Sequence, residues 1–175
     1  MNEVALRNLS KFFLTVGNGE TLETLRGLVE EVEKGVPLEK IFQKVVAQAR
    51  IEAASEKDHF KCLHDWAVIA GYTHEDSDLM MAEDYLLKIQ APNQRGAAKK
   101  MLVKAFAKAG HVGDARTLAG NIRSHYWRGE AYLEVYGISH DPADIKKAID
   151  AAGAIISSDP KEEVLAKIRA AQHKK

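Results

Sequence analysis

The segment AKAGHVGDARTLAGNI, residues 107–122, contains the pattern that decides the fold. Gly110 and Gly113 flank a histidine at its centre, an arrangement that could suggest a phosphate loop or a metal site. A phosphate loop follows a strand and continues into Gly-Lys-Ser or Gly-Lys-Thr, whereas Gly110 follows a helical pattern and no such lysine comes after it. We therefore predict that Gly110 ends one helix in a turn and that Val112 packs the next helix into the core.

Ala115, in the second half of this segment, belongs to a series with a constant spacing. Ala82 precedes it and Ala148 follows it at the same offset, since 115 − 82 and 148 − 115 both equal 33. Apolar residues three positions before and seven positions after each alanine share one helical face with it. The positions before are Leu79, Val112 and Ile145, and the positions after are Ile89, Ile122 and Ile155. The same offset relates Ile69, Leu102 and Val135.

This period predicts three 33-residue units over residues 63–158, each made of two antiparallel helices joined by a short turn. The turns are expected near residues 73–77, 109–111 and 139–141. A single unit leaves its apolar face uncovered, and stacking of the units buries that face in a continuous core. The fold class is therefore predicted to be all-α.

Helical patterns also fill residues 1–60, which we predict to form N-terminal helices. Three apolar stripes occur there, and the second of them is ended by Gly35. Ser55 with Asp58 three positions later resembles a capping box that starts a fourth helix. This part of the chain lacks the 33-residue pattern, so it is assigned to helices by periodicity alone.

The C-terminal segment predicts one more helix. Asp159 is placed to act as the N-cap and Pro160 as the first helical residue, with charged side chains on the exposed face. Residues 159–175 are therefore expected to form a solvated capping helix. About ten helices are expected in a single domain that spans residues 1–175.

Composition and charge restrict the classes of partner. The 25 basic and 25 acidic side chains give a formal net charge of zero, so no whole-molecule field attracts nucleic acid or an anionic membrane. The single cysteine, Cys62, cannot form an internal disulfide, which suits a reducing compartment. The first residues lack a signal-peptide pattern, and no stretch is apolar for the roughly 18 residues that a membrane helix needs. We predict a cytoplasmic protein without a membrane segment.

The repeated pattern resembles the tetratricopeptide-like helical repeats over about residues 63–172. A bulky aromatic and an aliphatic residue occur early in the first helix, as Trp66 with Ile69 and as Tyr132 with Val135. An alanine-glycine turn and an alanine in the second helix follow, most completely in residues 107–122. The period is 33 in this sequence, whereas the family usually has 34. The resemblance implies a short right-handed superhelix of stacked helix pairs, an α-α solenoid.

The sequence contains no pattern of residues that indicates catalysis. A nucleophile elbow, a His-Glu-x-x-His motif and a glycine-rich turn after a strand are all missing from it. His59, Cys62 and His64 fall close together, but on a helix His64 points away from the other two, so too few ligands converge for zinc. We predict no enzymatic activity, no catalytic residue, no metal site and no cofactor.

A binding surface is the better hypothesis, because such solenoids resemble scaffolds whose first helices line a groove for a protein or peptide segment. The family's groove positions fall here on His64, Ala67, Gly71 and His74, on Ala97, Lys100, Lys104 and Lys108, and on Glu130, Leu133, Gly137 and His140. Lys100, Lys104 and Lys108 recur every four positions and form one positive row, the lysine stripe. The stripe predicts an acidic partner segment, and a merely solvated helix face is the alternative.

Two further classes of function stay open. Helix-pair repeats of about this length also bind single-stranded RNA, one base per repeat, although the neutral net charge argues against it. Self-association is the other alternative, with Tyr126, Trp127 and Tyr132 as an aromatic interface between copies. The partner's identity does not follow from the sequence under any of these hypotheses.

Overall fold

The computed structural model describes residues 30–31 and 34–173, and these ranges contain eight α-helices and no strand. The helices are α1 (Leu38–Ser55), α2 (His59–Thr73), α3 (Asp76–Lys88), α4 (Pro92–Lys108), α5 (Val112–Gly120), α6 (His125–Ser139), α7 (Pro142–Gly153) and α8 (Ser158–Gln172). The all-α prediction is confirmed for this part of the chain. None of its helices combines the length and the apolar character needed to cross a bilayer.

The first two of the ten expected helices lie outside the described residues, apart from helical residues 30 and 31. Gly35 ends that helical segment in a left-handed conformation, with φ of 81°, as the sequence predicts. The chain divides into two compact units, residues 1–57 and residues 58–175. Helix α1 belongs to the first unit, and its apolar positions Ile41, Val45 and Val46 are buried.

The second unit contains α2 to α8, and its helices begin at regular intervals. Helices α2, α4, α6 and α8 start at residues 59, 92, 125 and 158, so that 92 − 59, 125 − 92 and 158 − 125 all equal 33. We call these four the first helices, and α3, α5 and α7 the second helices. The observed turns occupy residues 74–75, 109–111 and 140–141, within or beside the ranges expected from the sequence.

The first helices form a continuous layer, because α2 contacts α4, α4 contacts α6, and α6 contacts α8. Each second helix packs against the first helix before it and against the first helix after it. Two glycines, separated by one period of the repeat, permit close approach of neighbouring first helices. A methyl group added at Gly96 would overlap the Trp127 indole of α6, and one added at Gly129 would lie 3.1 Å from Val164 Cγ1 of α8.

The core is formed by the residues that the periodic pattern selects. Ala82, Ala115 and Ala148 are fully buried, and so are Ile69 and Val135, while Leu102 is 1 % exposed. Alanine at these positions lets a second helix pack closely against two first helices. Val112 and Ile155 are partly buried against the same core cluster. The sequence therefore predicts which face of each helix turns inward.

Gly110 ends α4 as predicted, and the turn satisfies backbone groups that the helix leaves open. Its φ is 96°, its N–H donates to the Ala107 carbonyl at 3.2 Å, and the His111 N–H donates to the Phe106 carbonyl at 2.9 Å. This pair of bonds defines a Schellman motif. The segment that looks like a phosphate loop is a helix stop.

Two predicted helix starts are wrong. Ser55 is the last residue of α1, and Asp58 is the N-cap of α2, where its carboxylate accepts from the N–H groups of Phe60 and Lys61. Helix α8 starts at Ser158 after the N-cap Ser157, so Asp159 and Pro160 lie inside its first turn. Pro160 is tolerated there because the first four N–H groups of a helix have no intrahelical partner.

Candidate binding surface

The lysine stripe lies on α4 and faces a row of glutamates on α6. Lys104 Nζ lies 2.9 Å from a carboxylate oxygen of Glu134, and Lys100 Nζ lies 3.8 Å from one of Glu130. Both pairs have the same separation in the sequence, since 134 − 104 and 130 − 100 both equal 30. The lysines and glutamates therefore connect two neighbouring first helices as parallel ion pairs.

Glu130 continues this contact to the last helix. It is 8 % exposed and also accepts from Lys167 Nζ of α8 at 3.0 Å, and Lys167 donates as well to Glu163 at 2.7 Å. Tyr126 donates its hydroxyl to Glu163 at 2.8 Å. Hydrogen bonds from Lys167 and Tyr126 lower the pKa of Glu163, and the hydrogen bond to Glu163 outweighs burial and raises the pKa of Lys167. Charged side chains thus link α4, α6 and α8.

Lys108, the third lysine of the stripe, lies over α2. Its Nζ is 5.0 Å from the centre of the Tyr72 ring, and a methyl group added at Gly71 would lie 3.1 Å from its Cδ. The lysine stem therefore covers a glycine while the ammonium contacts an aromatic face. The three lysines share a row, as predicted, but each one contacts a different side chain.

The other predicted groove residues have different local surroundings. His64 is half-buried and contacts the adjacent Asp65 at 2.9 Å between Nδ1 and Oδ1. His74 and His140 are the exposed C-cap residues of α2 and α6, with φ of 59° and 53°. Leu133 is partly buried against the core. These positions lie on α2 and α6 or directly after them.

The two ion pairs between α4 and α6 differ in how exposed their side chains are. The Lys104 side chain is 47 % exposed and that of Glu134 is 25 % exposed, whereas those of Lys100 and Glu130 are 23 % and 10 % exposed. The Lys104–Glu134 pair is therefore the more exposed of the two, and ion pairs near the surface contribute only about 0–1 kcal/mol. Lys100 and Glu130 form the more buried pair between α4 and α6.

The buried carboxylates at two of the turns are not predicted as functional residues from the sequence. Asp144 is fully buried and accepts from Ser139 Oγ at 2.7 Å and from Arg116 of α5 at 2.8 Å. Burial acts to raise the pKa of Asp144, but the hydrogen bonds from Arg116 and Ser139 outweigh it and lower the pKa. Asp78 is 2 % exposed and accepts from Thr73 Oγ1 at 2.7 Å.

The sequence carries a signal for these carboxylates. Asp78 and Asp144 are separated by twice the period, since 144 − 78 = 66. Their hydroxyl donors Thr73 and Ser139 have the same separation, since 139 − 73 = 66. The role of the two acids is structural, because each fixes the turn between a first and a second helix.

Of the three residues proposed as an aromatic interface, one is buried and two are half-buried. Tyr132 is 8 % exposed and belongs to the core cluster, while Trp127 is half-buried over Gly96. Tyr126 and Trp127 pack edge to face, with ring centres 4.8 Å apart. Tyr132 is thus a core residue and not an exposed contact between copies.

Within the described ranges, no three histidine, cysteine, aspartate or glutamate side chains are placed to hold a metal ion. Cys62 is buried. No protein-family model, curated protein or solved structure matches this chain.

Proposed function

We propose that this protein is a non-enzymatic, tetratricopeptide-like interaction module of the cytoplasm, whose stacked helix pairs bind a segment of another protein on the first helices. The observation that carries the proposal is the continuous layer of α2, α4, α6 and α8, which offers one surface to an extended or helical segment. The 33-residue spacing of the helix starts supports a solenoid of equivalent units.

The preferred segment is acidic, and Lys104 is its principal contact. A partner carboxylate replaces Glu134 in the ion pair with Lys104, so that one salt bridge is exchanged for another. Lys108, at the C-terminal end of the same stripe, extends the positive surface by one helical turn.

A fluorescent hexaglutamate peptide tests this preference by anisotropy at low ionic strength, where exposed charges are least screened. Glu134→Gln releases Lys104 and is expected to strengthen binding severalfold. Lys104→Glu with Lys108→Glu is expected to abolish binding. Lys146→Glu, at an exposed position of α7, makes the same kind of charge change away from the surface and should leave binding within twofold.

Equal weakening by Lys146→Glu, or no effect of Glu134→Gln, would show that the peptide responds to overall charge and would exclude the acidic-segment proposal.

The broader interaction function is tested by affinity capture of wild type beside the Lys104→Glu, Lys108→Glu variant, followed by mass spectrometry. A captured protein that the variant loses supports the module. A single-stranded RNA that binds more tightly than any captured protein would replace it.

A further inference from the structure

Helix α3 carries a surface row unlike those of the other second helices. Met80 and Leu87 are 65 % and 70 % exposed, and they lie two helical turns apart on one face. Asp76, Glu83 and Asp84 share that face and are exposed. We call these five residues the α3 stripe. Exposed large apolar side chains are informative when they cluster, and here two of them are framed by three carboxylates.

The composition of the α3 stripe is specific to α3. One and two periods after Met80 the sequence has Gly113 and Lys146, and after Leu87 it has Gly120 and Gly153. The stripe therefore adds apolar side chains where the corresponding helices carry glycine or lysine. Neither side chain is needed for burial, so packing of this chain does not explain them.

The carboxylates of the α3 stripe differ from those on the first helices. In the described part of the chain, the side chains of Glu83 and Asp84 form no ion pair or hydrogen bond. Asp76 is paired with His111 at 2.8 Å. By contrast, Glu130, Glu134 and Glu163 all contact lysines. The negative charge on α3 is thus available to a partner, whereas the glutamates on the first helices are already neutralised.

We propose that the α3 stripe is a second docking surface, and that its occupant is a basic amphipathic helix of another protein. Apolar side chains two turns apart on the partner contact Met80 and Leu87, and flanking lysines or arginines pair with Glu83 and Asp84. Methionine suits such a surface because its flexible thioether adapts to different apolar partners. This inference does not depend on the acidic segment proposed for the lysine stripe.

The negative charge of the α3 stripe favours a basic helix over a second copy of the chain, an anionic lipid surface or RNA. A symmetric contact between two copies would set Glu83 and Asp84 of one stripe against those of the other, with repulsion between like charges. An anionic lipid surface and the phosphates of RNA would be repelled by the same carboxylates. A basic helix satisfies the apolar and the charged side chains together.

The probe is a synthetic amphipathic peptide, about five helical turns long, with leucines on one face and lysines on the other. It is titrated into the isotope-labelled full chain and followed by NMR. Saturable binding is expected, with chemical shift changes centred on residues 76–88. A peptide of the same composition in scrambled order is the control and should bind at least tenfold more weakly. No saturable binding, or shift changes centred elsewhere, would overturn the proposal.

Variants of the exposed residues separate the apolar from the charged contacts. Met80→Lys with Leu87→Lys should weaken binding at least tenfold, and Glu83→Gln with Asp84→Asn should weaken it and reduce its salt dependence. Ile156→Lys, at a fully exposed isoleucine before α8, should leave binding unchanged. Unchanged peptide binding by the variant with Met80→Lys and Leu87→Lys would overturn the proposal. A dimer that sedimentation detects for wild type and not for this variant would also overturn it, because a second copy would then occupy the α3 stripe.

Discussion

At the scale of single residues, three helices of the second unit end at residues with a left-handed backbone conformation. Gly110, His74 and His140 occupy this region with φ of 96°, 59° and 53°. A residue with a side chain loses roughly 1–2 kcal/mol in that region, and glycine does not. The turn after α4 has glycine at this position. The turns after α2 and α6 have exposed histidines there, and these histidines carry the strain of the left-handed conformation.

Gly110→Ala is expected to lower the free energy of unfolding by about 1 kcal/mol, because alanine cannot adopt a φ of 96° without strain. Urea unfolding followed by circular dichroism measures this change. Gly113→Ala is the matched control, since Gly113 lies in the first turn of α5 with open space around its Cα. Alanine there should leave stability unchanged or raise it. Equal losses in both variants would contradict the assignment of Gly110 as the helix stop.

At the scale of elements, the buried carboxylate of Asp144 ties α5 to α7. Arg116 of α5 donates to Asp144 at 2.8 Å and to the half-exposed Asp141 at 2.7 Å. Removing one partner of a buried pair leaves the other uncompensated. Because the Arg116 side chain is 33 % exposed and keeps Asp141, the effect is smaller than for a fully buried pair.

Asp144→Asn is therefore expected to cost about 2 kcal/mol of stability at pH 7. The lowered pKa of Asp144 means that its charge stabilises the fold above the unfolded value of about 3.9, and that this contribution is lost as the pH falls through the lower folded pKa. The difference between wild type and variant should be constant from pH 5 to pH 8 and should shrink below about pH 4. Urea midpoints across this pH range measure it.

Asp150→Asn is the control for that experiment, because Asp150 lies exposed on the same helix and loses the same charge. Its effect on stability should stay within about 0.5 kcal/mol. If the difference in stability between wild type and Asp144→Asn did not change with pH, the charge of this carboxylate would not contribute to the contact between α5 and α7.

The sequence predicts the elements better than it predicts their contacts. The 33-residue spacing places Ala115 in the core and the stop at Gly110, because local periodicity and turn chemistry decide both. It does not predict the pairing of Lys104 with Glu134, since those residues lie on different helices and meet only after the two helices align. Charge patterns within α4 alone indicate a solvated positive row, and packing against α6 changes that interpretation.

Predicted helix starts fail where several residues can serve as the cap. Ser157, Ser158 and Asp159 are all suitable N-caps, and the chain uses the first of them. The helical pattern also does not predict that Met80 and Leu87 are exposed, because their exposure depends on which other helices cover α3. Only comparison of equivalent positions, with glycine at residues 113 and 120, marks these two side chains as unusual.

At the scale of the whole molecule, α8 closes the apolar end of the second unit. Val164 is fully buried and Ile168 is 2 % exposed, and both belong to the core cluster. The opposite face of α8 carries the exposed side chains of Glu162 and Arg169, whereas Lys167 contacts Glu130 of α6. This division matches the solvated capping helix that the sequence predicts.

Truncation after Ser157 should therefore uncover the apolar faces of α6 and α7, which α8 contacts. Burial of Val164 and Ile168 contributes about 1.5–3 kcal/mol each, so the truncated chain loses about 3–6 kcal/mol from these two side chains alone. That is a large part of the stability of an ordinary domain, and aggregation is the expected result. Urea unfolding and sedimentation velocity measure both effects.

A control with Arg169→Gln, which removes only the exposed ion pair with Glu162, should unfold like wild type. A truncated chain that stayed monomeric with an unchanged urea midpoint would contradict this prediction. It would show that α8 does not contribute to the stability of the core.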